Sequence, residues 1–320
     1  MGTNTEISWT DATWNPVTGC SHLSDGCRNC FAEALSLRFG FSKKPWTAPN
    51  AAENVVLHPE RLDQPLRWQK PRRVFVNSMS DLFHERIPDT FIAAVFGVMA
   101  ASPRHTFQVL TKRPERMLQW FNQVERWAAQ AKEVFQDDIE DWRRWHCLNA
   151  AAISLTGNGK LSGATLSGNP WPLPNVWLGV SMEQDRWCSR ADILRQTPAA
   201  VRFISAEPLL EPLPSLSLTG IDWLIFGGES GNGDPTRRLV ERCSMNALHR
   251  DGNGDLCTAC HNGWEPKAWA VTEARRLLDL SKENGTAFWM KQWGGPRPDS
   301  GGHLLDGVSI QQFPGEISDE

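Results

Sequence analysis

Three cysteines near the N-terminus have a spacing that suits metal or cluster chemistry. Cys20, Cys27 and Cys30 follow the pattern Cys-x6-Cys-x2-Cys. Gly19 and Gly26 each precede a cysteine, and glycine lets the backbone turn tightly enough for three thiolates to reach a common centre. A helix-favouring run follows the third cysteine. The pattern therefore predicts a loop that wraps a bound group and then begins a helix.

Three readings of this loop have to be compared. A disulfide framework fits badly, because three is an odd number and no secretory signal precedes the loop. Structural zinc needs four protein ligands, and His22 is the nearby candidate for the fourth. An iron–sulfur cluster held by three thiolates leaves one iron open for a substrate or cofactor. The spacing favours the cluster over zinc and leaves both open.

The same loop resembles that of the radical S-adenosylmethionine (SAM) enzymes. In that superfamily three closely spaced cysteines hold a four-iron, four-sulfur (4Fe-4S) cluster, most often as Cys-x3-Cys-x2-Cys, so the longer first gap here is a departure. The resemblance implies a 4Fe-4S cluster on Cys20, Cys27 and Cys30 with SAM on the fourth iron. It also implies that Phe31, the aromatic residue after the last cysteine, lies near the adenine of SAM.

Length and composition limit the fold and the setting of the protein. A chain of 320 residues accommodates one barrel of about 250 residues with insertions. A net charge of −4 gives no global sign of nucleic-acid binding. No apolar run approaches the ~18 residues of a membrane span, and the polar N-terminus predicts no signal peptide. We therefore expect a soluble, cytoplasmic protein with reduced cysteines and no membrane partner.

Short apolar strands alternate with helices along the chain. This alternation predicts an α/β fold with parallel strands covered on both faces, namely a partial (β/α) TIM-like barrel of six to seven strands. The resemblance to radical SAM enzymes implies that the barrel is of the radical-SAM type. After a β-prone stretch at 9–18, strands are predicted at 74–76, 106–110, 175–180, 201–204, 221–226 and 286–290. Helices are predicted at 30–39, 91–101, from 115 onward, at 187–196 and at 268–284.

Polar residues follow the predicted strands, at the rim where such barrels keep their active sites. We expect Ser181 and Glu183 to bind the ribose or ammonium of SAM, and Lys112 or Arg113 to bind a carboxylate or phosphate. The full set of rim candidates is Ser78, Ser80, Asp81, Lys112, Arg113, Ser181, Glu183, Glu207 and Glu229. Residues of these types also cap helices, so a structural role is the alternative for each of them.

Two regions interrupt the repeat within a predicted single barrel domain of residues 1–320. Residues 121–172 combine a helical stretch with a Gly/Ser-rich segment at 157–168 and form the first insertion. Residues 243–262 form the second, which carries Cys243, Cys257, Cys260 and His261. Their spacing predicts a small zinc knuckle, with a second cluster or a loop of non-ligating cysteines as alternatives. Cys147 and Cys188 lie in helical stretches and are predicted to be core residues.

Longer runs of the sequence resemble the phage Gp37/Gp68 family of proteins of unknown function. The matching runs span residues 7 to 295 and leave out the two insertions; they are 14–20, 75–83, 110–114, 179–181, 205–209, 227–231 and 291–294. That family is similar to a divergent radical SAM branch related to spore photoproduct lyase. The resemblance implies hydrogen abstraction by a 5′-deoxyadenosyl radical, an external electron donor and, for some members, a three-Cys-motif partner protein.

Three functions are consistent with these observations. The first is a radical SAM enzyme acting on a nucleic acid or nucleobase, in DNA modification or repair-like chemistry. Basic clusters at 67–73, 104–116 and 237–242 and the 16 tryptophans favour it, and the acidic net charge opposes it. The second is a radical SAM enzyme for a small molecule or peptide. The third is a zinc-stabilised binding module, for nucleic acid or protein, without catalysis.

Overall fold

The computed structural model describes most of the chain. The described residues are 5–135, 141–155, 170–231, 233–243, 261, 263–297 and 300–316. The Gly/Ser-rich segment at 157–168 and two predicted ligands of the second insertion, Cys257 and Cys260, lie outside them.

Seven parallel strands form the central sheet. They are β1 (Ala12–Trp14), β2 (Arg73–Val76), β3 (Thr106–Thr111), β4 (Val176–Ser181), β5 (Val201–Ala206), β6 (Trp223–Gly227) and β7 (Ala287–Gln292). Their order in the sheet is their order in the chain, and β1 and β7 are the two edges. The paired registers are parallel. The predicted α/β fold, of the partial TIM-like barrel class, is confirmed.

Six longer helices connect or flank these strands. They are α1 (Phe31–Arg38), α2 (Asp89–Ala100), α3 (Pro114–Phe135), α4 (Trp142–Ser154), α5 (Ser189–Gln196) and α6 (Ala268–Asn284). Among the described residues, none of the helices is long and apolar enough to cross a membrane.

Shorter elements complete the chain. Two single-turn helices span Ala51–Asn54 and Gln64–Arg67, and short 3-10 helices span Asp25–Cys27, Ala48–Asn50, Pro59–Arg61, Asp185–Trp187 and Pro235–Arg237. Three small antiparallel pairs join Val17–Thr18 with Val56–Leu57, Val240–Arg242 with Trp264–Pro266, and Leu304–Leu305 with Val308–Ser309.

Strand β6 and helix α2 are buried because their sequences are apolar on nearly every side. All five residues of β6 are buried, as expected for a parallel strand covered on both faces. Residues 91–100 of α2 are likewise all buried. A Cβ at Gly97 would lie 2.0 Å from the carbonyl oxygen of Cys147, so glycine permits the close approach of α4 to α2. Helix α4, part of the first predicted insertion, therefore covers the core.

The two cysteines predicted to be core residues are buried. Cys147 lies in α4 with no exposed surface, and burial raises the pKa of its thiol. Burial, followed by the nearby charge of Asp185, raises the pKa of Cys188 to about 12. Both thiols therefore stay protonated at neutral pH, which fits a packing role.

The chain packs as two compact units. The first comprises Met1–Ser24, Cys30–Val180 and Ile193–Arg202, and the second comprises Asp25–Asn29, Ser181–Asp192 and Phe203–Glu320. Cys20 and Cys30 belong to the first unit, and Cys27 belongs to the second.

Candidate functional site

The start of the cysteine loop has a fixed backbone. The amide of Gly19 donates to the carbonyl of Met79 at 2.9 Å. Gly19 has a φ of +83°, and a Cβ there would lie 1.8 Å from the carbonyl oxygen of Asn54. Only glycine fits such a position. The predicted tight turn before Cys20 is therefore present, and it directs the chain from the carboxyl end of β1 into the loop.

Arg113, which follows β3, is the centre of a buried network around Cys20. The Nη1 atom of Arg113 lies 3.6 Å from Cys20 Sγ and donates to Asp81 Oδ2 at 3.2 Å. Its Nη2 atom donates to the carbonyl and hydroxyl oxygens of Ser21 at 3.0 and 3.1 Å, and its Nε atom donates to Glu85 at 3.2 Å. All three guanidinium nitrogens thus bind the loop or the carboxylates that flank it.

The charge of Arg113 is well stabilised. Burial alone would lower the pKa of Arg113, but the charges of Asp81, Cys20 and Glu85 outweigh that effect and raise it. A fixed positive charge beside a thiol favours the thiolate, which is the form that binds metals.

Asp81 acts as a structural acceptor. Its two carboxylate oxygens accept from the amides of Phe83 and Lys112, the hydroxyl of Thr111 and Arg113 Nη1, at 2.7 to 3.2 Å. Asp81 is also buried. It therefore fixes the chain after β2 and β3. This is a structural role, the alternative that we gave for each rim candidate.

Ser21 and His84 form a second buried contact behind Cys20. Ser21 Oγ and His84 Nε2 are 2.9 Å apart, and His84 Nδ1 accepts from the amide of Arg86 at 3.2 Å. An accepting Nδ1 requires the proton on Nε2, so neutral His84 donates to Ser21. Burial, followed by the charge of Arg113, lowers the pKa of His84. The fold holds this imidazole neutral.

We predict an acid-sensitive fold as a result. Between the lowered pKa of native His84 and its ordinary value of 6.5, the unfolded chain binds more protons than the native one. The free energy of unfolding should therefore fall as the pH drops below 6.5, with a limit of about 1.4 kcal/mol per pH unit for one group. Burial also lowers the pKa of His105 and His146, so they contribute in the same direction.

Urea unfolding measured between pH 7.5 and 5.5 tests this dependence. His84→Gln should make the slope shallower, since glutamine retains a donor toward Ser21 without titrating. His303→Gln alters an exposed histidine and serves as the control. An unchanged slope in His84→Gln would show that His84 does not carry the pH dependence.

Cys20 and Cys30 pack against the same small apolar cluster in the first unit. That cluster consists of Ala32, Trp46 and Met79. The indole Nε1 of Trp46 donates to Ser42 Oγ at 2.9 Å, which fixes the ring. Two of the three thiols therefore share an apolar wall, which limits water access to any group that they hold.

His22 is oriented by a carboxylate. Its Nε2 atom lies 2.6 Å from Glu33 Oε2, and Glu33 also accepts from the amide of Trp46 at 2.7 Å. The contact leaves Nδ1 of His22 as the ring nitrogen with which it could bind a metal, since a metal-bound histidine commonly has a carboxylate on its other nitrogen. Phe31, by contrast, has 72% of its surface exposed and is accessible to a ligand beside Cys30.

In the second unit, the segment that carries Cys27 is anchored by strand-end carboxylates. Fully buried Glu183, which follows β4, accepts from the amide of Gly26 at 3.2 Å. A Cβ at Gly26 would lie 3.0 Å from the Glu183 carboxyl carbon, so glycine permits this close contact. Arg190 donates to the other Glu183 oxygen at 3.2 Å and neutralises its charge.

Glu229, which follows β6, holds the same segment at its other end. It accepts from Asn29 Nδ2 at 2.9 Å and forms a bidentate ion pair with Arg237, the shortest contact being 2.7 Å. Arg237 also donates to the carbonyl of Asp25 at 2.9 Å, and the Asp25 carboxylate pairs with Arg186 at 2.6 Å. Glu183 and Glu229 thus act as supports of the Cys27 segment.

We predict that Glu229→Ala loosens this segment without unfolding the protein. Hydrogen bonds to a charged group are worth about 1.5–3 kcal/mol, which corresponds to a roughly 10- to 100-fold change in local opening. Hydrogen exchange of the amides in residues 25–29 should accelerate by that factor. Asp306→Ala removes an equally bidentate but exposed pair with Arg275 and should leave these amides unchanged. Equal exchange in both variants would contradict the anchoring role.

The remaining rim candidates make contacts within the protein. Glu207, which follows β5, forms an ion pair with Lys291 at the end of β7, and both side chains are less than one-fifth exposed. Ser181 Oγ donates to the carbonyl of Glu207 at 3.3 Å. Ser78 Oγ donates to Asn15 Oδ1 at 3.2 Å, and Ser80 Oγ donates to the carbonyl of Val17 at 3.0 Å. Lys112 is half-buried, and its backbone amide donates to Asp81.

A hairpin closes the second insertion. The strand Val240–Arg242 pairs with Trp264–Pro266, and the amide of Cys243 donates to the carbonyl of Gly263 at 3.1 Å. The ring of His261 lies beside Gly302, where a Cβ would approach it to 3.1 Å. Cys243 and His261 therefore lie near the base of this hairpin, and the predicted zinc knuckle stays a prediction.

The donor chemistry of the cysteine loop suits both groups predicted for it. None of Cys20, Cys27 and Cys30 forms a disulfide bond, and each is partly exposed. Thiolates bind iron–sulfur clusters and zinc alike, so the donor set leaves the cluster and the zinc site as predictions. Within the described ranges, no group of three or more His, Cys, Asp or Glu side chains is arranged to hold a metal ion.

Several residues of this region were not among the sequence-based candidates. They are Ser21, His84, Asn29, Arg237 and Lys291. Arg237 lies in the basic cluster at 237–242, and Lys291 lies in the run 291–294 that resembles the Gp37/Gp68 family. The sequence therefore drew attention to both segments but assigned no role to either residue. Ser21 and Asn29 gave no signal beyond their place between cysteines.

Comparison with known proteins gives one match. A family model described as "Protein of unknown function (DUF5131)" matches residues 4–248. Neither the curated proteins nor the solved structures gave a match to this chain.

Proposed function

This chain belongs to the DUF5131 family of proteins of unknown function, and we propose that it is a radical SAM enzyme that acts on a nucleic acid or nucleobase. In this proposal Cys20, Cys27 and Cys30 hold a 4Fe-4S cluster. The proposal also includes the relationship to the Gp37/Gp68 family and to the radical SAM branch.

One observation carries the proposal: buried side chains at strand ends fix both halves of the cysteine loop. Arg113 binds Ser21 and contacts Cys20, while Glu183 and Glu229 bind Gly26 and Asn29. A loop that served only as a connection would not need buried charges to hold its backbone, since a buried charge is costly unless it is paired. The ligands are therefore supported by a second layer of contacts, as in metal sites generally.

The bound group would supply the electron that cleaves SAM reductively to methionine and a 5′-deoxyadenosyl radical. The protein's own residues would bind and orient the cluster and SAM. Arg113 would favour the thiolate of Cys20, the Ala32–Trp46–Met79 cluster would cover one side of Cys20 and Cys30, and the exposed ring of Phe31 would offer a stacking face for adenine.

The charges of SAM have complementary partners among the rim candidates. Its ammonium would pair with a carboxylate and its carboxylate with a cation, and Glu207 and Lys291 provide one of each at the ends of β5 and β7, the strands on either side of β6. Lys112, half-buried after β3, is a further cation for a carboxylate or phosphate. An external electron donor completes the requirements of the reaction.

Metal and sulfide analysis tests the class of site. The protein is purified anaerobically, reconstituted with iron and sulfide, and assayed for iron, acid-labile sulfide and zinc, together with its visible spectrum. About four irons and four sulfides per chain with broad visible absorption are expected. Zinc alone, without visible absorption after reconstitution, would overturn the proposal in favour of a zinc-stabilised binding module.

A further inference from the structure

Helix α1 ends in a turn that leaves two phenylalanine rings in solvent. Phe39 and Phe41 are 60% and 54% exposed, and their ring centroids are 6.1 Å apart. Arg38 lies over the Phe39 ring at 5.5 Å, and Lys43 is also exposed. We call residues 38–44 the aromatic turn. All of it lies in the first compact unit.

The aromatic turn is a well-defined structure. The amide of Phe41 donates to the carbonyl of Ser36 at 2.8 Å, and that of Gly40 to Leu37 at 3.3 Å. Gly40 has a φ of +70°. These features constitute a Schellman motif, in which the residue at the position of Phe41 commonly packs on the helix residue that accepts its bond. That residue here is the small, buried Ser36, which offers little apolar surface to Phe41.

The exposure of these rings is unusual within this protein. Three phenylalanines in the described chain are strongly exposed, and all three lie between residues 31 and 41: Phe31, Phe39 and Phe41. Full burial of such a side chain is favourable by about 1.5–3 kcal/mol, so solitary exposure without a partner is a disadvantage. The concentration of all three on one short helix and its turn points to a binding surface.

The positive charge around the aromatic turn favours a negatively charged partner. Arg38, Lys43 and Lys44 lie in a stretch with no acidic residue between Glu33 and Glu53. Lys44 pairs with Glu53, whereas the described residues give neither Arg38 nor Lys43 an ion pair. Flat aromatic faces beside unneutralised cations suit a strand that carries phosphates and unpaired bases.

The spacing of the rings also suits bases. Their separation of 6.1 Å is close to twice the ~3.4 Å rise of stacked nucleotides, so one base fits between the rings once they turn parallel. Phe31 and Phe39 are eight positions apart on α1, which corresponds to about 12 Å along the helix axis. Phe31 directly follows Cys30, so a nucleic-acid strand bound at the aromatic turn would reach the cysteine loop within about four nucleotides.

We propose that the aromatic turn binds single-stranded nucleic acid, with bases stacked on Phe39 and Phe41 and phosphates near Arg38 and Lys43. This role names the substrate class of the proposed function and rests on it for the reaction. The binding itself needs no bound cluster, so the two can fail separately.

Fluorescence anisotropy with labelled fifteen-nucleotide dT and rU strands and a duplex tests the binding. Phe39→Ala and Phe41→Ala should each weaken strand binding about tenfold or more, and Phe39→Trp should retain it. Lys43→Ala should reduce the slope of log affinity against log salt by about 0.7. Ile153→Ala, at a side chain 76% exposed in the same unit, is the matched control and should bind as the unaltered protein does.

The two strands distinguish DNA from RNA as the natural ligand. The proposal is overturned if neither strand binds, if the duplex binds equally well, or if the two alanine substitutions have no effect. It is also overturned if sedimentation shows a dimer that Phe39→Ala and Phe41→Ala dissociate, since the rings would then contact a second copy. Iron content measured on the two alanine variants should equal that of the unaltered protein. If the unaltered protein binds the single strand but takes up no iron on reconstitution, the proposed chemistry fails and the binding proposal stands.

Discussion

Replacing any one of Cys20, Cys27 and Cys30 with alanine is expected to lower the iron content of reconstituted protein from about four per chain to below about one. In the proposed cluster each thiolate would bind one iron, and two remaining ligands would hold it poorly. The three cysteines differ in their surroundings, since Cys20 lies beside Arg113 and Cys20 and Cys30 share an apolar wall. We nevertheless expect all three variants to lose the cluster.

Cys188→Ala is the matched control for these variants. Cys188 is buried and hydrogen-bonded to Asp185, so its removal leaves the loop intact. Iron should remain at the level of the unaltered protein in Cys188→Ala. Full iron in all three loop variants would contradict the assignment of the ligands, and full iron in only one of them would remove that cysteine from the set.

Arg113→Ala is expected to lower the free energy of unfolding by about 3–5 kcal/mol. The substitution leaves buried Asp81 without its charge partner and removes the two donors to Ser21 and the donor to Glu85. Removal of one member of a buried ion pair is among the most destabilising single changes, because the other charge stays buried and uncompensated. Urea unfolding followed by tryptophan fluorescence measures the loss.

Two further variants show whether the loss comes from the buried pair. Arg275→Ala removes an exposed arginine that binds Asp306 in a bidentate manner, and we expect little change. Arg113→Lys keeps the charge but cannot reach Asp81, Ser21 and Glu85 together, so it should be intermediate. A loss below about 1 kcal/mol in Arg113→Ala would show that the network contributes little to stability.

The elements of the fold were predictable because hydrophobic period and strand length are local properties. The strands at 201–204 and 221–226 are predicted from short apolar runs, and β5 and β6 occupy these places. The prediction at 268–284 coincides with α6, whose end is marked by Gly285 at a φ of +63°. The boundaries of the other elements differ by a few residues, as expected when hydrogen bonding at the ends depends on neighbours.

The proximity of the rim residues to the cysteine loop was also predictable, but their partners were not. Parallel strands place their carboxyl ends at one edge, and Glu183 and Glu229 do contact the segment of Cys27. The contact between Asn29 and Glu229 joins residues 200 positions apart. No spacing rule within a single sequence identifies such a pair, so the sequence could not distinguish a support of the loop from a contact to SAM.

Exposure of apolar side chains was the least predictable feature. Phe39 ends the helix predicted at 30–39 and Phe41 lies just beyond it, and the sequence gives no reason to place either ring in solvent. Their exposure follows from the turn at Gly40 and from serine at position 36, where a larger apolar residue would have covered Phe41. The aromatic turn therefore becomes visible only in three dimensions.

Production of 5′-deoxyadenosine tests the central claim most directly. Reconstituted protein is incubated anaerobically with dithionite and SAM, and the products are quantified by mass spectrometry beside Cys27→Ala treated in the same way. We predict 5′-deoxyadenosine and methionine in equal amounts from the unaltered protein and none above background from Cys27→Ala. A protein that holds its full complement of iron and sulfide but yields no 5′-deoxyadenosine would contradict the assignment as a radical SAM enzyme.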